Sequence, residues 1–231
     1  MGNISGNKKP LYQSPLRNLE LHLIFGIIAG LLLIILFAKL SEDLLCQELG
    51  SFDTVAGIFI RSYNNDSLTN VAILITQLGS AYIEIGLLLA VGSYLLFRLK
   101  HVWEAMILSI NLAGGWLLNL FLKVIFHRTR PDIQHLVKAD GYSFPSGHAM
   151  ISATFYGMLG YLLWLNFREH SIPSWYVPVL TVGLIITIGV SRIYLGVHYP
   201  SDVIAGFAAG GVWLIACILG LHAIRHFKNI K

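Results

Sequence analysis

The stretch VWEAMILSINLAGGWLLNLFLKVIFHRTRP, residues 102–131, sets the class of fold. From Val102 to Phe126 it is dominated by apolar side chains, long enough for a bilayer crossing, which takes about 20 such residues. It then ends in a cluster of bases, Lys123, Arg128 and Arg130, the last followed by Pro131. The remainder of the chain is of the same kind. Of its 231 residues 55% are hydrophobic and 12% charged, with a mean hydropathy of +0.68. A soluble domain carries about 25% charged residues, so this chain has too few charges to cover a water-facing surface. Disorder needs low hydrophobicity and high charge, and is excluded on both counts. The net charge of +4 is small and much of the basic content lies at helix ends, which argues against nucleic acid as a partner. Two cysteines, Cys46 and Cys217, are too few for a disulfide framework. An integral membrane protein remains.

Six spans are predicted: about Leu21–Leu40, Val71–Phe97 with a break at Gly79-Ser80, Val102–Phe126, His148–Phe167, Trp175–Ser191 and Ser201–Ile224. The first is longer than a signal-peptide core and lacks a small-residue cleavage pattern after it, so it reads as an uncleaved anchor. The expected division is a polar N-terminal tail (1–20, with Met1 to about Pro15 disordered), a six-span domain (21–225) and a short C-terminal tail (226–231). Lys and Arg set the orientation. One side holds nine: Lys8, Lys9, Arg17, Arg98, Lys100, Arg168, Arg225, Lys228 and Lys231. The other holds seven: Lys39, Arg61, Lys123, Arg128, Arg130, Lys138 and Arg192. Setting aside Lys123, Arg130 and Arg192 as site residues leaves nine against four. Both termini are then expected in the cytoplasm, in a multi-pass protein of the cell membrane. Between the first two spans, Asp53 is expected to cap a short helix through Ile60. That helix is either an ordinary connector or an interfacial helix with Val55, Ile58 and Phe59 on one face.

Three clusters carry chemistry: Lys123-x6-Arg130-Pro131, Pro145-Ser146-Gly147-His148, and Ser191-Arg192-x5-His198-x3-Asp202. Consecutive spans alternate in direction, so the end of span three, the starts of spans four and six and the end of span five all face one side. Three cations gathered at a membrane boundary are costly unless an anion joins them. Phosphate fits, because guanidinium forks bind its oxygens in pairs. Ser146-Gly147-His148 reads as a helix start whose free N–H groups also favour an anion. Gly147 lets the backbone approach the ligand, and Ser146 adds a hydroxyl. Asp202 lies one helical turn after His198, where a carboxylate can hold one ring nitrogen and leave the other free to attack. His198 is therefore read as a nucleophile, Asp202 as its orienting partner and His148 as the general acid.

These clusters resemble the phosphatase signature of the type 2 phosphatidic acid phosphatase superfamily. That family includes lipid phosphate phosphatases, bacterial phosphatidylglycerophosphatase B and undecaprenyl-diphosphate phosphatases. The resemblance covers Lys123 to Asp202 with every internal spacing kept. Beyond that segment only the six-span layout is shared. It implies phosphate binding by Lys123, Arg130, Ser146, Gly147 and Arg192, with His148 as acid, His198 as nucleophile and Asp202 as its partner. It also implies an amphiphilic substrate: phosphatidylglycerol phosphate, phosphatidic acid or undecaprenyl diphosphate.

The expectation is an all-α bundle of six transmembrane helices with its site at the outer membrane face. The membrane lipid phosphate and the bilayer are its partners. No cofactor is implied, and no metal, since three cations would oppose a divalent ion. The oligomeric state is not legible. Two other functions use the same features: a lipid phosphotransferase with an alcohol acceptor, and a transporter with a cationic gate. A transporter would place charges nearer the midplane. Glu84, inside an apolar run, is either a functional intramembrane acid or an interfacial one. Asn119, one turn before Lys123, either bonds to it or serves helix contacts.

Overall fold

The computed structural model describes the backbone of residues 16–229 and the side chains of residues 23–225. The expected disordered start, residues 1–15, lies outside it, as do the side chains of Lys8, Lys9, Arg17, Lys228 and Lys231, which enter the orientation count. Among the described residues there are eight α-helices: α1 (Leu16–Leu45), α2 (Gly50–Arg61), α3 (Asp66–Leu78), α4 (Ala81–Ser93), α5 (Val102–Phe126), α6 (Gly147–Glu169), α7 (Tyr176–Tyr194) and α8 (Pro200–Asn229). A π-helical turn, Tyr94–Arg98, extends α4. Six segments are long and apolar enough to cross a bilayer: Leu23–Leu45, Ala81–Arg98, Val102–Phe126, Gly147–Glu169, Tyr176–Tyr194 and Pro200–Arg225.

Five of these match the spans read from the sequence to within a few residues. The second differs. The break read at Gly79-Ser80 is present, but the residues before it belong to a separate helix, so the crossing begins only at Ala81. Gly79 and Ser80 interrupt the apolar run because they pass directly against the bundle: a Cβ on Gly79 would lie 2.8 Å from Ile188 and 3.0 Å from the Ser152 hydroxyl. Ser80 is extended and starts α4 afresh. The preceding helix α3, capped by Asn65 through a 2.8 Å bond from Leu68 N–H, lies against α7 instead.

Helix α6 is the hub, in contact with α5, α7 and α8, while α1 lies antiparallel on α8. The core of Leu108, Leu112, Ile151, Phe155, Met158 and Leu221 fills the space between α5, α6 and α8. Outward-facing Leu31, Leu32, Ile35, Leu117, Phe121, Val179 and Leu180 are exposed and form an apolar perimeter, tolerable only where lipid is the solvent. Phe37 of α1 meets Phe126 and Phe144, with ring centroids 6.1 and 5.9 Å away, tying the first helix to the loop before α6. Both cysteines are unpaired, Cys46 exposed and Cys217 buried.

Helices α6 and α8 approach almost backbone to backbone. A Cβ on Gly210 would stand 2.4 Å from the Met150 carbonyl oxygen, below any tolerated contact. Gly210→Ala should therefore lower stability by about 1–3 kcal/mol through overpacking. Gly86→Ala, on α4 where no atom lies within 4 Å, should leave it unchanged or raise it by up to about 1 kcal/mol from helix propensity. Thermal melting in detergent checks this; equal effects of the two would refute the close approach.

Candidate active site

Four helix ends meet at one end of the bundle: the C-termini of α5 and α7 and the N-termini of α6 and α8. Loop 127–146 crosses them, leaving α5 through His127, whose φ of 46° is left-handed and turns the chain. The backbone then ties this layer together. Ser143 N–H donates to Arg128 O, Leu136 N–H to Leu195 O, and Ser146 N–H to Asp202 O at 3.0 Å. The last bond sets the start of α6 against the start of α8, so sequence-distant motifs share one surface.

His198 and Asp202 form the pair their spacing predicts. Nδ1 of His198 lies 3.4 Å from Asp202 Oδ2 and 3.3 Å from Ser143 Oγ. Ser143 donates its hydroxyl proton to the same carboxylate, so toward the ring it can only accept. Both neighbours therefore require the proton on Nδ1. Nε2 is left with its lone pair, facing Arg130 Nη1 at 3.2 Å. Burial pushes the His198 pKa down to about 4; the bond to Asp202 opposes this, and Arg130 and Arg192 reinforce it. The imidazole is neutral at physiological pH.

Arg130 lies against this nitrogen, and Arg192 is close enough to act on the ring electrostatically. Arg130 is held by loop carbonyls, donating to Val197 O (2.7 Å), Asp140 O (2.8 Å) and Gly141 O (3.1 Å). Lys123 donates to Tyr142 O. Arg192 donates from Nη1 to Thr76 Oγ1 at 2.8 Å, while its Nε is buried without a partner. Ser146 Oγ is likewise buried and unpartnered. Gly147 and His148 open α6, whose first-turn N–H groups have no acceptor within the helix. Unpaired donors, fixed cations and a helix N-terminus around a lone pair suit a phosphoryl group. Asn119 does not reach Lys123. Its Nδ2 donates to Pro145 O at 3.3 Å and its Oδ1 lies beside Gly147, so it braces the start of α6.

Several polar residues of this site escape sequence reasoning. Arg128, counted there as an orienting loop charge, is turned inward: Nη1 donates to Asp202 Oδ1 at 2.7 Å and Nη2 to Asp53 Oδ2 at 2.6 Å. Its guanidinium lies 4.0 Å above the Tyr199 ring. Asp53 is not a cap of α2. It lies within the first turn and is 4% exposed, because it accepts from Arg128 and from both the N–H (2.9 Å) and hydroxyl (2.7 Å) of Ser201. Ser143 and Thr76 are the others. Spacing gave no signal for these four, since each partner comes from a different helix or loop. Removing one member of such a buried ion pair costs about 3–5 kcal/mol, because the other charge is stranded.

Glu84 is 1% exposed on the first turn of α4 and accepts from Trp116 Nε1 at 3.4 Å, so it faces the bundle interior near one end of its span. His127 and His135 stay in the loop; His135 Nε2 lies 3.0 Å from Pro131 O. Among the described residues no group of three or more His, Cys, Asp or Glu side chains is placed to hold a metal ion.

Residues 103–225 match the PAP2 superfamily, a segment that takes in α5 to α8 and all three clusters but not Asp53. The chain is 32% identical to phosphatidylglycerophosphatase B of Bacillus subtilis over 156 residues, 67% of this chain and 74% of that one. It is 30% identical to an undecaprenyl-diphosphatase of the same organism over 173 residues, 71% and 77% of the two chains. Its fold matches the crystal structure of a transmembrane PAP2 type phosphatidylglycerolphosphate phosphatase from Bacillus subtilis with a TM-score of 0.77 and 26% identity, covering 87% of this chain and 97% of that one. Motifs, six-helix architecture and family match agree: the chain belongs to the PAP2 superfamily.

Proposed function

We propose that this protein is a membrane lipid phosphatase that hydrolyses a phosphomonoester or diphosphate of an amphiphile through a phosphohistidine on His198. The observation that carries the reading is the His198 ring. Its Nδ1 is fixed by Asp202 and Ser143, and its Nε2 lone pair is turned toward Arg130 at 3.2 Å. Nε2 attacks phosphorus and forms a P–N bond as the P–O bond to the lipid breaks. The leaving oxygen takes a proton from His148. Asp202 stabilises the positive charge that phosphorylation places on the ring. Lys123, Arg130 and Arg192, with Ser146 and the N–H groups from Gly147 onward, hold the three equatorial oxygens, where preorganised charge contributes most. Water then attacks phosphorus, His148 accepts its proton, the P–N bond breaks and His198 returns to its neutral form. These steps need no metal ion.

The substrate is amphiphilic because the site sits at one end of an apolar bundle, at headgroup level. Phosphatidylglycerol phosphate, phosphatidic acid and undecaprenyl diphosphate fit this chemistry, and the relatives' names span the first and third. The positive-inside bias supports a site facing outward with both termini in the cytoplasm.

Phosphate release from a panel of these lipids in detergent, in EDTA and without added alcohol, tests the activity. The wild type should turn over under those conditions and His198→Ala should fall to background while still inserting. Full activity of His198→Ala would refute the nucleophile, and dependence on an alcohol acceptor would indicate a phosphotransferase. The pH profile follows from the sign of the His198 shift. Only the neutral ring attacks, and it protonates near 4, so the acid limb of kcat/KM should lie near pH 4, not at the ordinary imidazole value of about 6.5. A limb near 6.5 would contradict a neutral buried nucleophile. Orientation has its own reporter: Cys46 is exposed just past α1, at the site end of the bundle. A membrane-impermeant thiol reagent should label it in spheroplasts; labelling only after permeabilisation would reverse the topology.

A further inference from the structure

We infer that Asp53, on α2 and outside the matched family segment, is a positioning residue for the reaction, acting through Arg128 and Ser201 on Asp202; this role presupposes His198 as nucleophile and Asp202 as its partner. Asp202 is fully buried. A buried carboxylate stays ionised and fixed only when charge and hydrogen bonds surround it. Its Oδ2 is met by His198 Nδ1, Ser143 Oγ and Tyr199 N–H (2.9 Å), and its Oδ1 by Arg128 Nη1. Among the described residues Arg128 is thus the one basic side chain of the Lys/Arg type bonded to Asp202, and its plane must be set by something else.

Asp53 sets it. The guanidinium bridges two carboxylates with separate nitrogens, Nη1 on Asp202 and Nη2 on Asp53. Arg128 Nη1 also lies 2.8 Å from Ser201 Oγ, which in turn donates to Asp53 Oδ2. The other oxygen, Oδ1, accepts from Ser201 N–H. Asp53 thereby holds the first turn of α8, where its charge also suits the positive helix end. The segment that carries Asp202 is clamped from both sides of the residue. Without the Asp53 charge Arg128 is free to turn both nitrogens onto Asp202 or to slide over Tyr199, and either movement shifts the carboxylate that orients His198.

The placement of α2 serves this contact. Asp53 and Gly57, one turn apart, are buried against α7 and α8, with Gly57 beside Pro200, while Phe52, Val55, Ile58 and Phe59 are exposed on the remaining surface. The helix presents one acid inward and an apolar surface outward.

The full chain in detergent, assayed for phosphate release from phosphatidic acid, tests the role. Asp53→Asn keeps shape and loses charge. Its kcat should fall about 10- to 100-fold, the loss expected of a sub-ångström to 1 Å misplacement of reacting groups. KM should move by less than about twofold, as for an interaction that acts in the transition state. Inhibition by vanadate should persist, since Lys123, Arg130 and Arg192 are untouched. Asp53→Glu should recover part of kcat. In an Arg128→Gln background Asp53→Asn should add less than its full single-variant loss, because one of its two routes to Asp202 is already cut. Wild-type kcat in Asp53→Asn, or losses that multiply with those of Arg128→Gln, would overturn the role. If Asp53→Asn fails to fold, Ser201→Ala replaces it: a fall in kcat at constant KM supports the role, and unchanged kcat overturns it. An active His198→Ala refutes the nucleophile reading itself, whereas an inactive His198→Ala beside a fully active Asp53→Asn refutes only the positioning role.

Discussion

One buried carboxylate organises this end of the molecule. Asp202 has no contact with solvent, and an ionised carboxylate in that position is tenable only if every lone pair finds a donor. The loop before α6 supplies Ser143, the turn before α8 supplies Tyr199 N–H and His198, and the segment after α5 supplies Arg128. Satisfying one acid therefore brings three separate stretches of chain to one point. The Ser146 N–H bond to the Asp202 carbonyl adds the start of α6. The geometry of His198 follows from the needs of its neighbour.

The same end gathers the cations, and this separation of polar from apolar is what the bilayer demands. Within the spans, backbone groups satisfy one another and the perimeter is hydrocarbon. At the ends, side chains can meet water and headgroups. Lys123 and Arg192 close their helices, Arg130 and His198 lie in the connecting loops, and His148 and Asp202 open theirs. The polar cluster therefore lies where the apolar perimeter ends.

The spans and the clusters were legible in the sequence because both are local signals. Hydropathy over about 20 residues marks a crossing, and His198 and Asp202 stand only four positions apart. The Gly79-Ser80 break in the second span was legible too, but not that the residues before it form a separate helix packed on α7, because those contacts are made far along the chain. Asp53 and Arg128 were legible only as charges. Hydropathy reads an acid in a loop helix as a cap and a base after a span as an orienting residue; it has no means of seeing that the two meet over a third residue, Asp202. Thr76 was silent for the same reason: its bond to Arg192 spans 116 positions.

Asp202 is also the last of the site residues in chain order. Every group that meets its carboxylate, on Arg128, Ser143, His198 and Tyr199, is made before it. The surface of α6 against which Gly210 lies is likewise covered only when α8 is in place. Entry of α8 therefore delivers this acid and covers that face of α6 in one event. Packing of α6 and assembly of the candidate site thus depend on one helix, and a defect in the seating of α8 would disturb both together.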